Sequence, residues 1–235
     1  AGGSLYAADH RLPIALMLVA QIFALVIVSL MTEPARETHA PERHPLRDML
    51  GTVHYALRGH REVGAIIVFA GITFCATKIV MWSQQPYYMM MKVPEIWFGL
   101  LSAIGFLLAG LGGHLGHHID GRLSNMGVMH VMLGAICAIC FITALVPSHA
   151  TMMLLMAGSI MFGIAFPRVQ NELNARVDST RRATILSTMS LMVSLLFIPL
   201  GSLAGIVAGA WDIRAALFAL GVFTVLAGGG ALAMA

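Results

Sequence analysis

Charged side chains are scarce in this chain. Only 11% of its 235 residues are Asp, Glu, Lys or Arg, whereas soluble domains carry about 25%. A soluble globule of this length therefore lacks the charge to cover its surface. Three cysteines are too few for a small disulfide scaffold. The net charge of +3 does not indicate a nucleic-acid partner, because the positions of basic residues matter more than their sum.

Apolar residues make up 58% of the chain, and this excludes a disordered or collagen-like protein. They gather in seven runs long enough, or nearly so, to span a hydrocarbon layer of about 30 Å. The runs cover 12–31, 63–82, 96–115, 126–146, 151–167, 183–210 and 215–235. Backbone polar groups in lipid need internal partners, and runs such as 104–111 lack the alternation of a membrane strand. The predicted fold class is an all-α integral membrane protein with seven transmembrane helices.

The runs divide the chain into three parts. Residues 1–31 hold the first transmembrane helix, and 63–235 hold six more, whose short connections predict a transmembrane bundle. Between them lies a hydrophilic linker, 32–62. Apolar residues at helical spacing over 46–61 predict an amphipathic helix on the cytoplasmic surface.

Basic residues set the expected orientation. Ten of the fourteen Lys and Arg residues fall in 32–62, 116–125 and 168–182, and three fall on the other side. Positive residues concentrate in cytoplasmic loops, so the N-terminus is expected outside and the C-terminus in the cytoplasm. The gaps at 147–150 and 211–214 then predict tight outside turns. An outside N-terminus without a signal peptide or initiator Met leads us to expect a piece of a longer protein.

Glycines crowd several runs. The third holds four glycines between positions 105 and 113, and the sixth holds three at four-residue spacing over 201–209. Small residues let helix backbones approach closely, so close packing is the predicted role. For 201–209, just after Pro199, a kinked helix near a moving interface is the second interpretation.

Three passages carry a likeness to a known family. The inside loop 116–123 resembles the family's G-x-x-x-D-R/K-x-G-R/K signature in its second-half copy, with Gly121 inserted. Residues 163–168 with 181–187 are similar to the connection between helices ten and eleven. Residues 82–99 are similar to helix seven running into helix eight. The chain thus resembles the C-terminal half of a major facilitator superfamily permease: helix six, the central loop and helices seven to twelve.

This resemblance implies a twelve-helix transporter of two six-helix halves, with a small-molecule substrate at the midplane between them. The expected partners are the N-terminal half of the same transporter and the lipid bilayer, in a bacterial inner membrane, with no nucleic acid. The expected activity is secondary active transport by alternating access, with export of hydrophobic or drug-like compounds. Uptake of an organic anion is the alternative. Neither a cofactor nor enzymatic catalysis is expected.

Four residues are predicted to line the substrate pathway. Lys78 is the only Asp, Glu, Lys or Arg deep in a predicted span, and a charge there is costly enough to mark a functional site. Gln84, Gln85 and Tyr87 follow it and offer hydrogen bonds at the outer mouth. The alternative is that Lys78 extends toward the surface near Trp82, within an interfacial polar and aromatic belt.

A cytoplasmic gate is predicted from the loop that resembles the family signature. Its residues are Gly116, Asp120, Arg122, Arg181 and Arg182. The two adjacent arginines begin the sixth span, where the positive helix N-terminus makes a nearby carboxylate favourable. Asp120 is the expected carboxylate if the two loops are neighbours. The alternative is a set of ordinary cytoplasmic basic residues.

A different class of function starts from three histidines. His114 and His118 lie four residues apart, a spacing that chelates zinc on one helix face, with His117 between them. This permits the hypothesis of an intramembrane metal-binding enzyme. No carboxylate stands in an H-E-x-x-H arrangement, so the prediction remains a transporter without a metal site.

Overall fold

The structure, a computed structural model, describes residues 5, 9–31, 51, 61–119 and 124–234. These residues are almost entirely helical, and none of them lies in a strand. The main helices are α1 (Leu12–Leu30), α2 (Arg61–Met90), α3 (Phe98–Ile119), α4 (Asn125–Leu145), α5 (His149–Ala175), α6 (Arg182–Ala210) and α7 (Ile213–Phe223). A π-helical turn, Thr224–Gly228, continues α7 into α8 (Gly229–Met234).

Seven helical segments among the described residues are long and apolar enough to cross a membrane, with α7 to α8 counted as one. This confirms the prediction of an all-α chain with seven helices long and apolar enough to span a membrane. Short 3-10 turns, Glu95–Trp97 and Ser179–Arg181, precede α3 and α6. The predicted surface helix over 46–61 falls almost entirely outside the described residues.

Two helices extend beyond their apolar runs. α2 continues through Pro86 to Met90, and α5 continues through Pro167 to Ala175. The predicted loop 168–182 is therefore wrong over its first eight residues, which are helical. An apolar run ends at its first polar or charged residues, here Ser83 in α2 and Arg168 in α5. Helical hydrogen bonding continues beyond them wherever polar side chains reach the membrane surface or find partners.

The predicted outside turns at 147–150 and 211–214 are confirmed as short connections, because side chains cap the helices that follow them. The Ser148 hydroxyl accepts a hydrogen bond from the Thr151 N–H at 3.1 Å, and the Thr151 hydroxyl accepts one from the Ser148 N–H at 2.9 Å. Asp212 likewise accepts from the N–H three residues on, at the start of α7. Such caps satisfy helix N–H groups that have no partner within the helix.

α2 is the centre of the bundle. In the most apolar 18-residue stretch of α2, 89% of the residues are buried. The corresponding stretch of α3 is 11% buried, and that of α6 has no buried residue. α2 packs against α4, α5, α6, α7 and α8, whereas α3 lies mainly on α5. α1 has no buried residue. α3 and α6 thus present broad apolar faces to their surroundings, as helices in lipid do.

Glycine contact brings the backbones of α3 and α5 together. A Cβ atom on Gly163 would lie 2.0 Å from the carbonyl oxygen of Ala109, and one on Gly112 would lie 2.2 Å from a carbonyl oxygen of α5. Close packing is confirmed there. A Cβ atom on Gly205 or Gly209 would meet nothing within 4 Å among the described residues. Packing inside this bundle therefore does not explain those two glycines.

Candidate functional site

One face of α2 carries the candidate site. Phe74, Lys78, Met81 and Gln85 are spaced by four, three and four residues, so their side chains share a helix face. The first three line one cavity, and Met81 and Gln85 line a second. We call these four residues the α2 stripe. It connects two cavities that adjoin at Met81.

The first cavity, which we call the lysine pocket, has a volume of about 330 Å³ and lies between α2, α5 and α6. Its walls combine one cation, three phenylalanine rings, aliphatic and thioether groups, and two hydroxyls. The lining residues are Phe74, Lys78, Met81, Phe162, Phe166, Met189, Ser190, Val193 and Ser194.

Three rings form one wall of the lysine pocket. Phe74 meets Phe162 edge-on at a centroid distance of 5.6 Å and lies 5.4 Å from Phe166, while Phe162 and Phe166 stack at 5.2 Å. These distances are in the range where aromatic pairs attract beyond simple apolar burial. The wall is therefore a mutually supported apolar surface rather than three independent side chains.

Lys78 supplies the charge of the pocket. Its side chain is half-buried, and its Nζ lies 4.3 Å from the centroid of the Phe197 ring on α6. The described residues form no salt bridge with it. The ring face offers a cation partial electrostatic compensation. The ammonium thus sits between α2 and α6 with an aromatic contact and no carboxylate from the part of the chain that is described.

The second cavity, which we call the amide pocket, has a volume of about 290 Å³ and lies between α2, α3 and α5. Its polar lining consists of Gln84, Gln85, Ser102 and Ser159. Gln84 is buried, and its Nε2 donates to the carbonyl oxygen of Leu155 at 3.2 Å, which holds it against α5. Gln85 is exposed to the opening.

Ser159 is the unusual member of the amide pocket. It is only 1% exposed, and its Oγ has no hydrogen-bond partner among the described residues. A buried hydroxyl without a partner costs free energy. A Cβ atom on Gly105 of α3 would lie 3.6 Å from this oxygen, so a side chain at that position would be in van der Waals contact with it.

Tyr87 lies inside the bundle. It is fully buried, its hydroxyl donates to the carbonyl oxygen of Thr143 at 3.0 Å, and it lies 3.3 Å from the Thr151 Oγ1. These contacts tie α2 to α4 and α5. Tyr87 lines neither of the two pockets. Its contacts give it a role in helix packing, and its place on the substrate pathway stays a prediction.

The predicted gate is described only in part. Gly116 is buried, and its carbonyl oxygen accepts from Nη2 of Arg168 at 3.1 Å. Arg168 is itself only 7% exposed, because it belongs to α5 and not to a loop. Asp120 and Arg122 lie outside the described residues, so their proposed ion pairs stay a prediction.

The two adjacent arginines of the predicted gate lie at the start of α6. Arg182 donates from Nε to the carbonyl oxygen of Asn174, at 3.2 Å, near the end of α5. Arg181 is half-buried and ends the 3-10 turn. The Arg182 bond satisfies a carbonyl at a helix C-terminus, where the helix dipole favours a cation.

The sequence interpretation missed an ionic cluster at the same end of the bundle. Arg176 donates from Nε to Glu172 at 2.8 Å and also pairs with Glu62, while Asn125 donates to Glu172. These four residues, the inner cluster, join the start of α2 and α4 to the end of α5. The four-residue spacing of Glu172 and Arg176 was a usable signal. The contacts with Glu62 and Asn125 could not be predicted from the sequence, because those residues lie 114 and 47 positions from their partners.

The histidine hypothesis gains no support from the described side chains. No group of three or more His, Cys, Asp or Glu that could hold a metal occurs in the described part of the chain. His114 is exposed, and the side chains of His117 and His118 lie outside that part. The metal-binding alternative remains an untested hypothesis.

Comparisons with protein-family models, with curated proteins and with solved structures found no match for this chain. The resemblance seen in the sequence and the geometry of the two pockets are the features that point to a function.

Proposed function

We propose that the chain forms one half of a secondary active transporter, which moves a small molecule across the membrane by alternating access. The observation that carries this proposal is Lys78. A charge at the centre of a transmembrane helix costs about 2.5–3.5 kcal/mol on insertion scales, so such residues face cavities and substrate pathways rather than lipid. Here the ammonium lines an open pocket without a carboxylate partner among the described residues.

The polar groups along the α2 stripe support the same proposal. Ser190 and Ser194 face the lysine pocket from α6, and Gln85 and Ser102 face the amide pocket from α2 and α3. Groups of this kind orient a ligand within a mostly apolar site of a few hundred Å³. In hydrocarbon a hydroxyl could bond only to its own helix, as that of Ser194 does to the carbonyl oxygen of Ser190 at 3.1 Å, whereas in a pocket the same groups can also bond to a ligand.

The partner in this proposal is a second six-helix unit that closes the open side of both pockets. The resemblance places such a unit against this face, with the substrate between the halves. In the proposed orientation the inner cluster lies on the cytoplasmic side of a bacterial inner membrane, because the basic residues concentrate there. Asp120, Arg122, Arg181 and Arg182 would form the gate on that side.

Alternating access is tested by labelling inside the lysine pocket. A cysteine placed at Ser194, in a variant whose three native cysteines are replaced, should react with a membrane-impermeant maleimide from both sides of sealed proteoliposomes. A cysteine at Ser148, in the outside turn, should react from one side only. Reaction of the Ser194 position from a single side under all conditions, together with no uptake of any compound offered, would refute transport.

A further inference from the structure

The two pockets differ in chemistry although they share Met81. The lysine pocket has a cation and a wall of rings, whereas the polar groups of the amide pocket are amides and hydroxyls. Lys78 and Gln85 are seven residues apart on α2, which is about 10 Å along a helix with a rise of 1.5 Å per residue. A single molecule of that length reaches both.

We infer that the substrate is an aromatic organic anion with a hydrogen-bonding group at the end opposite its carboxylate. This inference rests on the proposed transport function and names its substrate class. The carboxylate pairs with Lys78, the ring packs on the phenylalanine wall, and the distal polar group enters the amide pocket near Ser159.

The anion follows from the surroundings of Lys78. A neutral hydrophobic compound in this pocket would remove water from the ammonium and supply no opposite charge, so that the described residues would offer it only the Phe197 ring and the pocket's two serine hydroxyls. A cationic compound would add charge repulsion at short range. A carboxylate is attracted by the ammonium and also accepts a hydrogen bond from Ser190, which faces the same pocket. The pocket therefore favours the organic anion over a neutral or cationic drug-like compound.

The inference that the ligand carries an aromatic ring follows from the phenylalanine wall of the lysine pocket. Phe74, Phe162 and Phe166 already pack at 5.2–5.6 Å from one another. A ligand ring extends that arrangement by one more stacked or edge-on pair. An aliphatic chain fills the same volume but lacks the quadrupole interaction.

The distal polar group follows from Ser159. Ser159 lines the amide pocket, and its Oγ is buried and without a partner among the described residues. A hydroxyl or carbonyl group on the ligand would supply the missing hydrogen bond. Sites with a buried polar group discriminate strongly against ligands that lack its complement.

Four compounds separate these contributions. We would use 3-(4-hydroxyphenyl)propanoate, its neutral amide, the corresponding amine, and 3-phenylpropanoate, which lacks the hydroxyl. Binding to the purified protein is measured by isothermal titration calorimetry. The hydroxy acid should bind about tenfold or more tightly than the amide or the amine, which corresponds to a single lost charge interaction. It should also bind several-fold more tightly than 3-phenylpropanoate.

Three variants and a matched control assign the residues. Lys78→Met should abolish the preference for the acid over the amide, while Lys78→Arg should keep it. Ser159→Ala should remove the preference for the hydroxylated acid over 3-phenylpropanoate. Ser29→Ala, on α1, should change none of these ratios. Thermal melting of each variant checks folding, and Lys78→Gln, which also removes the charge and should also abolish the preference, replaces the methionine variant if that one fails to fold.

The outcomes separate the substrate class from transport itself. Equal binding of acid and amide by the native protein, or an acid preference that survives Lys78→Met, would overturn the inference. Transport of neutral or cationic compounds with no response to acids would overturn it and leave transport standing. Lysine-dependent binding of the acid, with labelling of the Ser194 position from one side only and no uptake of any compound offered, would support the site and refute transport.

Discussion

The contact between α3 and α5 gives the sharpest stability prediction. At Gly163 a new Cβ atom would lie 2.0 Å from the carbonyl oxygen of Ala109, 2.9 Å from its carbonyl carbon and 3.0 Å from the nitrogen of Gly113. All three are backbone atoms, so no rotamer change relieves the clash. Gly163→Ala must push the two helices apart.

The magnitude follows from the distances. Ordinary van der Waals contacts to a Cβ begin at 3.4 Å, so the new carbon is about 1.4 Å too close to that oxygen. Overpacking in a filled interior costs about 1–3 kcal/mol. Gly110 provides the matched control, because a Cβ there meets nothing within 4 Å. Gly110→Ala should gain about 0.5–1 kcal/mol from helix propensity alone.

The assay is thermal unfolding in detergent with a thiol-reactive fluorogenic maleimide. The protein carries its own reporters, since Cys75 and Cys140 are free and buried. With about 2–4 °C for each kcal/mol in chains of this size, Gly163→Ala should lower Tm by roughly 2–12 °C. Gly110→Ala should leave Tm unchanged or raise it. Equal Tm values for the two variants would refute the close approach of α3 and α5.

Three further predictions test separate parts of the structure. Tyr87→Phe should destabilise the protein by about 0.5–1.5 kcal/mol, because it removes an interhelical hydrogen bond. Tyr88→Phe should be neutral or stabilising, because that hydroxyl is buried without a partner among the described residues. Equal changes in Tm for the two variants would contradict this. Arg176→Gln should lower the free energy of unfolding by about 0.2–1 kcal/mol for each glutamate it contacts, and Tm should fall slightly as a result. The loss should shrink at high salt, which melting at two salt concentrations checks. Single cysteines at Ser148 and Ser179 should react with an impermeant thiol reagent from opposite sides of the membrane, and reaction from the same side would overturn the order of spans.

The helices were readable from the sequence because their cause is local. An apolar run of about 20 residues has one favourable state in a bilayer, whatever its neighbours do. Capping residues such as Ser148 and Asp212 are equally local, so the short turns were predicted well. The ends of α2 and α5 were not predicted well, because polar residues follow both apolar runs without ending the helix. There the end depends on partners such as those of Arg168 and Glu172.

The candidate site was readable only in part. Lys78, Gln84 and Gln85 stood out because polar groups are rare in such runs, and all three line a pocket. The sequence did not indicate the phenylalanine wall, because phenylalanine is common in apolar helices, whether its side chain faces lipid, another helix or a pocket. Ser159 was missed for a similar reason, since a hydroxyl in a transmembrane helix usually bonds to its own backbone.

Two adjacent tyrosines show the difference between what the sequence determines and what the tertiary structure decides. Tyr87 and Tyr88 have the same chemistry, the same helix and no exposure, yet one finds a carbonyl 56 residues away and the other finds no partner among the described residues. The sequence by itself determined the seven helices, among the described residues, that are long and apolar enough to span a membrane, because transfer of an apolar helix into lipid depends on its own residues. The tertiary structure decided which faces meet, because helix packing in lipid depends on close contact and hydrogen bonds between distant residues rather than on hydrophobicity.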